Sequence, residues 1–154
     1  MTSFGRLGGF GGDLAAAGIF GQWVERHDIE SLSDSKGAYA LALRLDETIA
    51  IDLPRVAGDR LSPGWYVYVG SAWGSGGLRA RLGRHFRPEK RPHWHVDRLT
   101  GRSPEMAALV VAAGRECDIA EELLRSHRCE IAAAGFGSSD CRRCESHLLA
   151  VRTP

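Results

Sequence analysis

No stretch of this 154-residue sequence offers the about 20 consecutive apolar residues that a bilayer-crossing helix needs, so no membrane partner is expected. Net charge is nearly absent: 20 Lys and Arg stand against 19 Asp and Glu, a formal +1. Taken as an average, that balance excludes a strongly basic nucleic-acid binder. Lysine is scarce, with only Lys36 and Lys90, and asparagine is missing altogether. Cysteine is confined to the last quarter, as Cys117, Cys129, Cys141 and Cys144. A secreted disulfide framework would spread its staples along the chain, so a reducing, cytoplasmic setting is expected. Internal repeats are absent too. A hydrophobic fraction of 44% with 25% charged residues excludes a disordered chain or a fibre. A chain of this length buries roughly two-thirds of its unfolded surface, so it needs neither disulfides nor a metal merely to be stable.

Residues 1–36 are rich in Gly, Ala and Ser, with a short helix expected over Leu14–Arg26. A charged start and a short apolar run faintly imitate a signal peptide, but the basic region is Arg6 alone, Asp13 intrudes and glycines break the run. The segment therefore reads as a flexible or partly helical extension, with the domain proper at 37–154. Gly37–Leu45 alternates large and small side chains, a strand signal, and Thr48–Asp52 reads as its hairpin partner. Trp65–Gly70 is aromatic and β-branched, the clearest strand. A glycine-rich turn leads into Leu78–Phe86, where Leu78, Leu82 and Phe86 share one helical face and the arginines take the others. A short helix at His93–Thr100, a strand at Met106–Ala113, a helix at Glu116–His127 and a strand at His147–Val151 complete the pattern. The expected fold is α+β, a small mixed sheet flanked by helices with an extra hairpin strand.

The charge average conceals a segregation. From Leu78 to Arg102 eight basic residues oppose Glu89 and Asp97, a balance of +6, which leaves −5 for the rest. All but two of the basic residues are arginine, whose planar fork suits bidentate phosphate contacts. Clustered arginine beside Trp73, Phe86, Trp94 and two histidines fits a nucleic-acid face.

The order Gly37-Ala38-Tyr39, then Tyr68-Val69-Gly70, then Arg81 and His85 spaced i, i+4, then an acidic helix after a strand resembles the GIY-YIG nuclease superfamily. The runs GGLRARLGRH, HWHVD and GFGSSDCRRCESHL resemble its small stand-alone branch, labelled Uri-type endonuclease or domain of unknown function, over Gly37–Val151. The resemblance implies hydrolysis of DNA phosphodiester bonds with one Mg²⁺ or Mn²⁺, in repair or in processing of structured DNA. A carboxylate plus waters suits such a hard ion, and matching by position gives Glu116, with Glu121 as rival. Arg81 matches the arginine that clamps the scissile phosphate. Tyr39 matches the tyrosine acting as base toward water, Tyr68 the one that orients water or phosphate, and His85 a group assisting proton transfer. Arg79, Arg84, Arg87, His93 and His95 are the candidate nucleic-acid contacts.

Two departures from the pattern stand out. The tyrosines lie 29 positions apart instead of roughly ten, and the family's late Asn has no counterpart, leaving Ser138, Ser139 or Asp140 as substitutes. Separately, Cys141-Arg-Arg-Cys144-Glu-Ser-His147 has knuckle-like spacing, a candidate zinc cluster whose fourth ligand is Cys117, His93 or His95. One short ligand cluster is weaker than the two of a zinc ribbon, so buried thiols are the competing account. Rival functions are a nucleic-acid-binding module without cleavage and a zinc-stabilised adaptor. Protein partners are not legible.

Overall fold

Strand β2 (Gly37–Leu45) sorts its alternating side chains onto the two faces of a sheet. Tyr39, Leu41, Leu43 and Leu45 enter one core, while Ala38, Ala40 and Ala42 enter another on the opposite face. The computed structural model describes residues 7–138 and 141–152. Among them the remaining strands are β1 (Gln22–Val24), β3 (Ile49–Ala50), β4 (Arg60–Leu61), β5 (Gly64–Ser71), β6 (Glu105–Ala112), β7 (Cys129–Ile131) and β8 (Leu148–Val151). The α-helices are α1 (Gly8–Ala16), α2 (Gly77–Phe86), α3 (Asp97–Thr100) and α4 (Glu116–Arg125), with a 3₁₀ helix at Arg26–Ser31.

The class is α+β, and the main sheet has six strands in the order β1-β6-β2-β5-β8-β7. Every neighbouring pair in it is antiparallel, so the sheet is not mixed. Leu78, Leu82 and Phe86 of α2 and Leu99 of α3 cover the Tyr39 face. On the alanine face, Ile119, Ala120 and Leu123 of α4 pack with Leu7, Phe10 and Leu14. Small side chains on that face let the helices approach closely.

Two further expectations are corrected. Thr48–Asp52 is not a partner of β2, because β5 and β6 occupy both of its edges. Ile49 and Ala50 pair instead with Leu61 and Arg60 as a separate two-stranded sheet. The insertion therefore leaves β2 and β5 adjacent, with both tyrosines on neighbouring strands.

The second correction concerns the N-terminal segment, whose described part is built into the fold. The helix runs over Gly8–Ala16, not Leu14–Arg26, and Gln22–Val24 pairs with Val110–Ala108 of β6. Leu7, Phe10 and Leu14 recur at helical spacing and are fully buried, and Asp13 accepts a hydrogen bond from Arg128 at 2.6 Å. Phe10→Ala should accordingly cost about 3–5 kcal/mol. The reading is the urea unfolding midpoint, which an undocked extension would leave unchanged. Among the described residues no helix is long and apolar enough to cross a membrane.

Candidate functional site

Register decides which side chains meet. Tyr39 lies opposite Gly70, and Leu41 opposite Tyr68, so the two tyrosines are diagonal neighbours on one face of the sheet. The missing side chain at Gly70 makes room for this: a Cβ there would stand 2.3 Å from the Tyr39 ring and hydroxyl. Gly137, at φ +69°, plays the same part for Tyr68, where a Cβ would come within 2.7 Å of the ring.

Helix α2 covers these rings. Leu78, Leu82 and Phe86 anchor it, and the same buried face carries His85 down onto the tyrosines. The Tyr39 hydroxyl and His85 Nε2 are hydrogen-bonded at 2.5 Å, and the Tyr68 ring meets the imidazole edge-on. Burial pushes the Tyr39 hydroxyl well above its ordinary pKa and that of Tyr68 up to about 12, so both phenols stay protonated. Burial also pulls His85 down to about 3. The imidazole is therefore neutral at physiological pH.

The groups that set the His85 charge are Asp97, which favours the cation, and Lys90, Arg81 and Arg84, which oppose it; the two tyrosines supply no charge. Because the folded pKa lies below the ordinary 6.5, the unfolded chain binds the extra proton between pH 6.5 and 3, and stability is lost as pH falls through that window. Between pH 7 and 5 the loss from this residue should be about 2 kcal/mol. Denaturant unfolding of wild type and His85→Gln across that range checks it. Parallel slopes with pH would show that His85 is not the buried neutral group described.

Arg81 is half-buried one turn before His85, and its guanidinium lies 4.2 Å from the centre of the Trp94 ring and within reach of the Tyr39 hydroxyl. Among the described residues no carboxylate pairs with it, unlike Arg84, whose Nη2 donates to Asp97 Oδ2 at 2.7 Å. The same buried Asp97 oxygen accepts the amides of His93 and Trp94 at 2.7 and 2.9 Å. Burial works against the Asp97 charge, but those two amides and Arg84 outweigh it and hold the carboxyl below its ordinary value. This is the role of the HWHVD run: Asp97 folds the turn that sets Trp94 beneath Arg81. Sequence reasoning noted Trp94 among the aromatics but missed it as the arginine's support, because the contact spans α2 and the following loop.

Glu116 opens α4. Its carboxylate is half-buried and has no hydrogen-bond or ion-pair partner among the described residues; it adds to the burial that raises the Tyr68 pKa and partly opposes the burial that lowers that of His147. Glu121 is different: it is exposed and tied to Arg143, which also holds Asp118. The two candidates thus differ: Glu121 is engaged by Arg143, whereas Glu116 has no partner among the described residues and acts electrostatically on Tyr68. That donor suits a hard cation completed by waters.

The candidate nucleic-acid contacts divide. Arg79, Arg87 and His93 are exposed, whereas Arg84 is engaged by Asp97. His95 Nδ1 accepts the Gly137 amide at 2.9 Å, which spends it on holding the tail loop. Of the proposed asparagine substitutes, Ser138 is buried and donates to the Glu145 carbonyl, while Ser139 and Asp140 lie outside the described residues. A hollow of about 450 Å³ bordered by Glu25, His27, Phe86 and Thr100 contains none of the candidate residues.

A second cluster adjoins the first. The ligand atoms of Cys117, Cys141, Cys144 and His147 all lie within 4.8 Å of one another, a set able to hold a metal ion. Cys117 is the member from α4; exposed His93 and the committed His95 are not part of it. Three thiols and an imidazole suit a soft or borderline ion such as zinc far better than Mg²⁺ or Mn²⁺. Cys129 stands apart, buried in the alanine-face core.

Comparison with known proteins corrects one expectation. The family whose model matches is Domain of unknown function DUF123, over residues 38–154. It is distinct from the GIY-YIG nucleases as a named family, and no comparison names the latter, so the superfamily assignment read from the tyrosine tripeptides does not stand. No curated protein and no solved structure matches the chain. With three-quarters of its length covered by that family model, the chain belongs to the family Domain of unknown function DUF123.

Proposed function

We propose that this chain is a metal-dependent endonuclease that hydrolyses DNA phosphodiester bonds. The observation that carries the reading is the pairing of Tyr39 and Tyr68 as diagonal neighbours beneath α2, with Arg81 free of a carboxylate partner among the described residues and an uncommitted Glu116 near enough to act electrostatically on Tyr68. A phosphodiester is anionic, and charge grows on its non-bridging oxygens as water attacks. Arg81 receives such an oxygen. The Trp94 ring holds the guanidinium by a cation–π contact without consuming its N–H donors.

Tyr39 and His85 form the proton path. In the tautomer that carries its proton on Nδ1, His85 Nε2 accepts the Tyr39 proton, which leaves the phenol oxygen free to accept one from the attacking water. As that transfer occurs, the tyrosine's own proton passes to His85, so the phenol never becomes an anion. The arriving phosphate charge offsets the desolvation that keeps the imidazole neutral in the free protein. Tyr68, a protonated donor near Glu116, orients the water or the phosphate. Glu116 would hold the Mg²⁺ or Mn²⁺, which when bound supplies Lewis-acid stabilisation of the phosphoryl oxygen.

Exposed Arg79, Arg87 and His93 on the +6 segment supply contacts to neighbouring backbone phosphates. With the chain near neutrality overall, affinity for bulk DNA is modest and salt-sensitive. The enzyme acts in the cytoplasm, in repair or processing of structured DNA. The test is incubation with supercoiled, single-stranded and branched DNA in Mg²⁺ or Mn²⁺. Metal-dependent cleavage of at least one substrate is expected; binding without cleavage of all three would overturn the proposal in favour of a binding module.

A further inference from the structure

We propose that Cys117, Cys141, Cys144 and His147 bind one Zn²⁺ that clasps the tail loop to the start of α4 and thereby positions Glu116; the positioning claim rests on the function proposed above. The donor set comes first. Cys117 Sγ lies 3.5 Å from Cys141 Sγ and 4.0 Å from His147 Nε2. In a tetrahedral site with Zn–S about 2.3 Å and Zn–N about 2.0–2.1 Å, ligand atoms stand about 3.5–3.8 Å apart. These two pairs are near that spacing, and all four ligand atoms lie within 4.8 Å of one another. Four protein ligands leave no open position, which is the pattern of a structural rather than a catalytic zinc.

Local backbone supports thiolate at one corner. The amides of Arg143 and Cys144 both donate to Cys141 Sγ, at 3.4 and 3.3 Å. Such bonds strengthen when the acceptor is an anion. Packing of buried thiols would not require this turn, nor an imidazole nitrogen among the sulfurs.

The chain around the cluster needs a constraint. Residues 132–147, between β7 and β8, contain no helix or strand among those described, and loops of that length without regular structure are uncommon in compact domains. The three later ligands all lie in this segment, and Cys117 alone joins them to α4. Arg143, from the middle of the Cys-x₂-Cys turn, makes a second tie to the same helix through Asp118 and Glu121.

From the cluster the connection to the site is short. Glu116 immediately precedes Cys117. His147 accepts the Val69 amide through its carbonyl at 2.9 Å, next to Tyr68 on β5. Gly137, whose bare α-carbon faces the Tyr68 ring and the His147 Cβ, belongs to the same loop. One ion would therefore fix Glu116 and Tyr68 relative to each other, although neither touches it. Glu116 and Tyr68 remain the site groups, and the four ligands act as positioning residues.

The experiment measures metal content and thermal unfolding of the full chain, purified with and without a strong chelator, and compares Cys144→Ala with the ligand-conserving Cys144→His. About one zinc per chain is expected in wild type and in Cys144→His, with loss of most of it in Cys144→Ala. Chelation should lower Tm by at least about 10 °C, and Co²⁺ added to the stripped protein should give the intense visible absorption of tetrahedral thiolate coordination. Wild type that is metal-free as purified, folded, and silent to Co²⁺ would overturn the zinc site. Cleavage in Mg²⁺ that survives chelation of zinc from a still-folded chain would overturn the positioning role alone. Because zinc content and Tm need no activity, a wild type that holds zinc but cleaves no DNA would refute the endonuclease reading and leave the site standing.

Discussion

Glu116→Gln is expected to reduce DNA cleavage about a thousandfold or more, with DNA affinity and metal content of the cysteine cluster unchanged. The substitution keeps shape and removes one charge from the half-buried carboxylate that has no partner among the described residues. A thousandfold corresponds to about 4 kcal/mol of transition-state stabilisation, the scale on which a bound cation acts at a phosphoryl oxygen. A competing account is that Glu116 merely complements the dipole at the start of α4, a role worth about 0.3–1 kcal/mol of stability. The two separate cleanly: a dipole role moves Tm slightly and leaves cleavage intact. Glu121→Gln is the control, since that exposed carboxylate is engaged by Arg143 and should not affect the reaction. Normal cleavage by the Glu116 variant would remove Glu116 from the site.

Arg81→Ala should cost about 10²–10³ in cleavage rate, the usual penalty for deleting one donor to a developing oxyanion. Arg81→Lys should recover little of it. An ammonium cannot stack flat on Trp94 or offer two parallel N–H donors to a phosphate. Trp94→Leu tests the support separately and should lower the rate less than loss of the guanidinium, because the charge remains while its orientation loosens. The reading is kcat against KM on a cleaved substrate. An effect confined to KM, fading at high DNA concentration, would make Arg81 a generic backbone contact rather than the group receiving the reacting oxygen.

Local chemistry made much of this architecture legible. The large-small alternation of Gly37–Leu45 marked a strand, and the two sets of side chains do enter separate cores. The apolar spacing of Leu78, Leu82 and Phe86 placed α2 and put Arg81 and His85 one turn apart. The N-terminal segment is partly helical as expected, but at Gly8–Ala16 and docked on the fold, because helix propensity and composition describe a segment in isolation. Leu7, Phe10 and Leu14 are buried in a cluster with side chains of the sheet and of α4, the latter a hundred residues away.

The opening scarcity of net charge proved a poor guide, since an average of +1 conceals a +6 segment whose arginines have different fates. By itself the sequence determined the α+β class, the α2 face, the cysteine spacing and the charge segregation, all of which depend on residues within a few turns of one another. Only the tertiary structure tied Glu121 to Arg143 while leaving Glu116 without a partner among the described residues, brought Cys117 to the other three members of the cluster, and engaged Arg84 while leaving Arg81 without a carboxylate among them. Those outcomes depend on sheet register and on which helix ends meet which loop. Such contacts join residues tens of positions apart, and no local spacing encodes them.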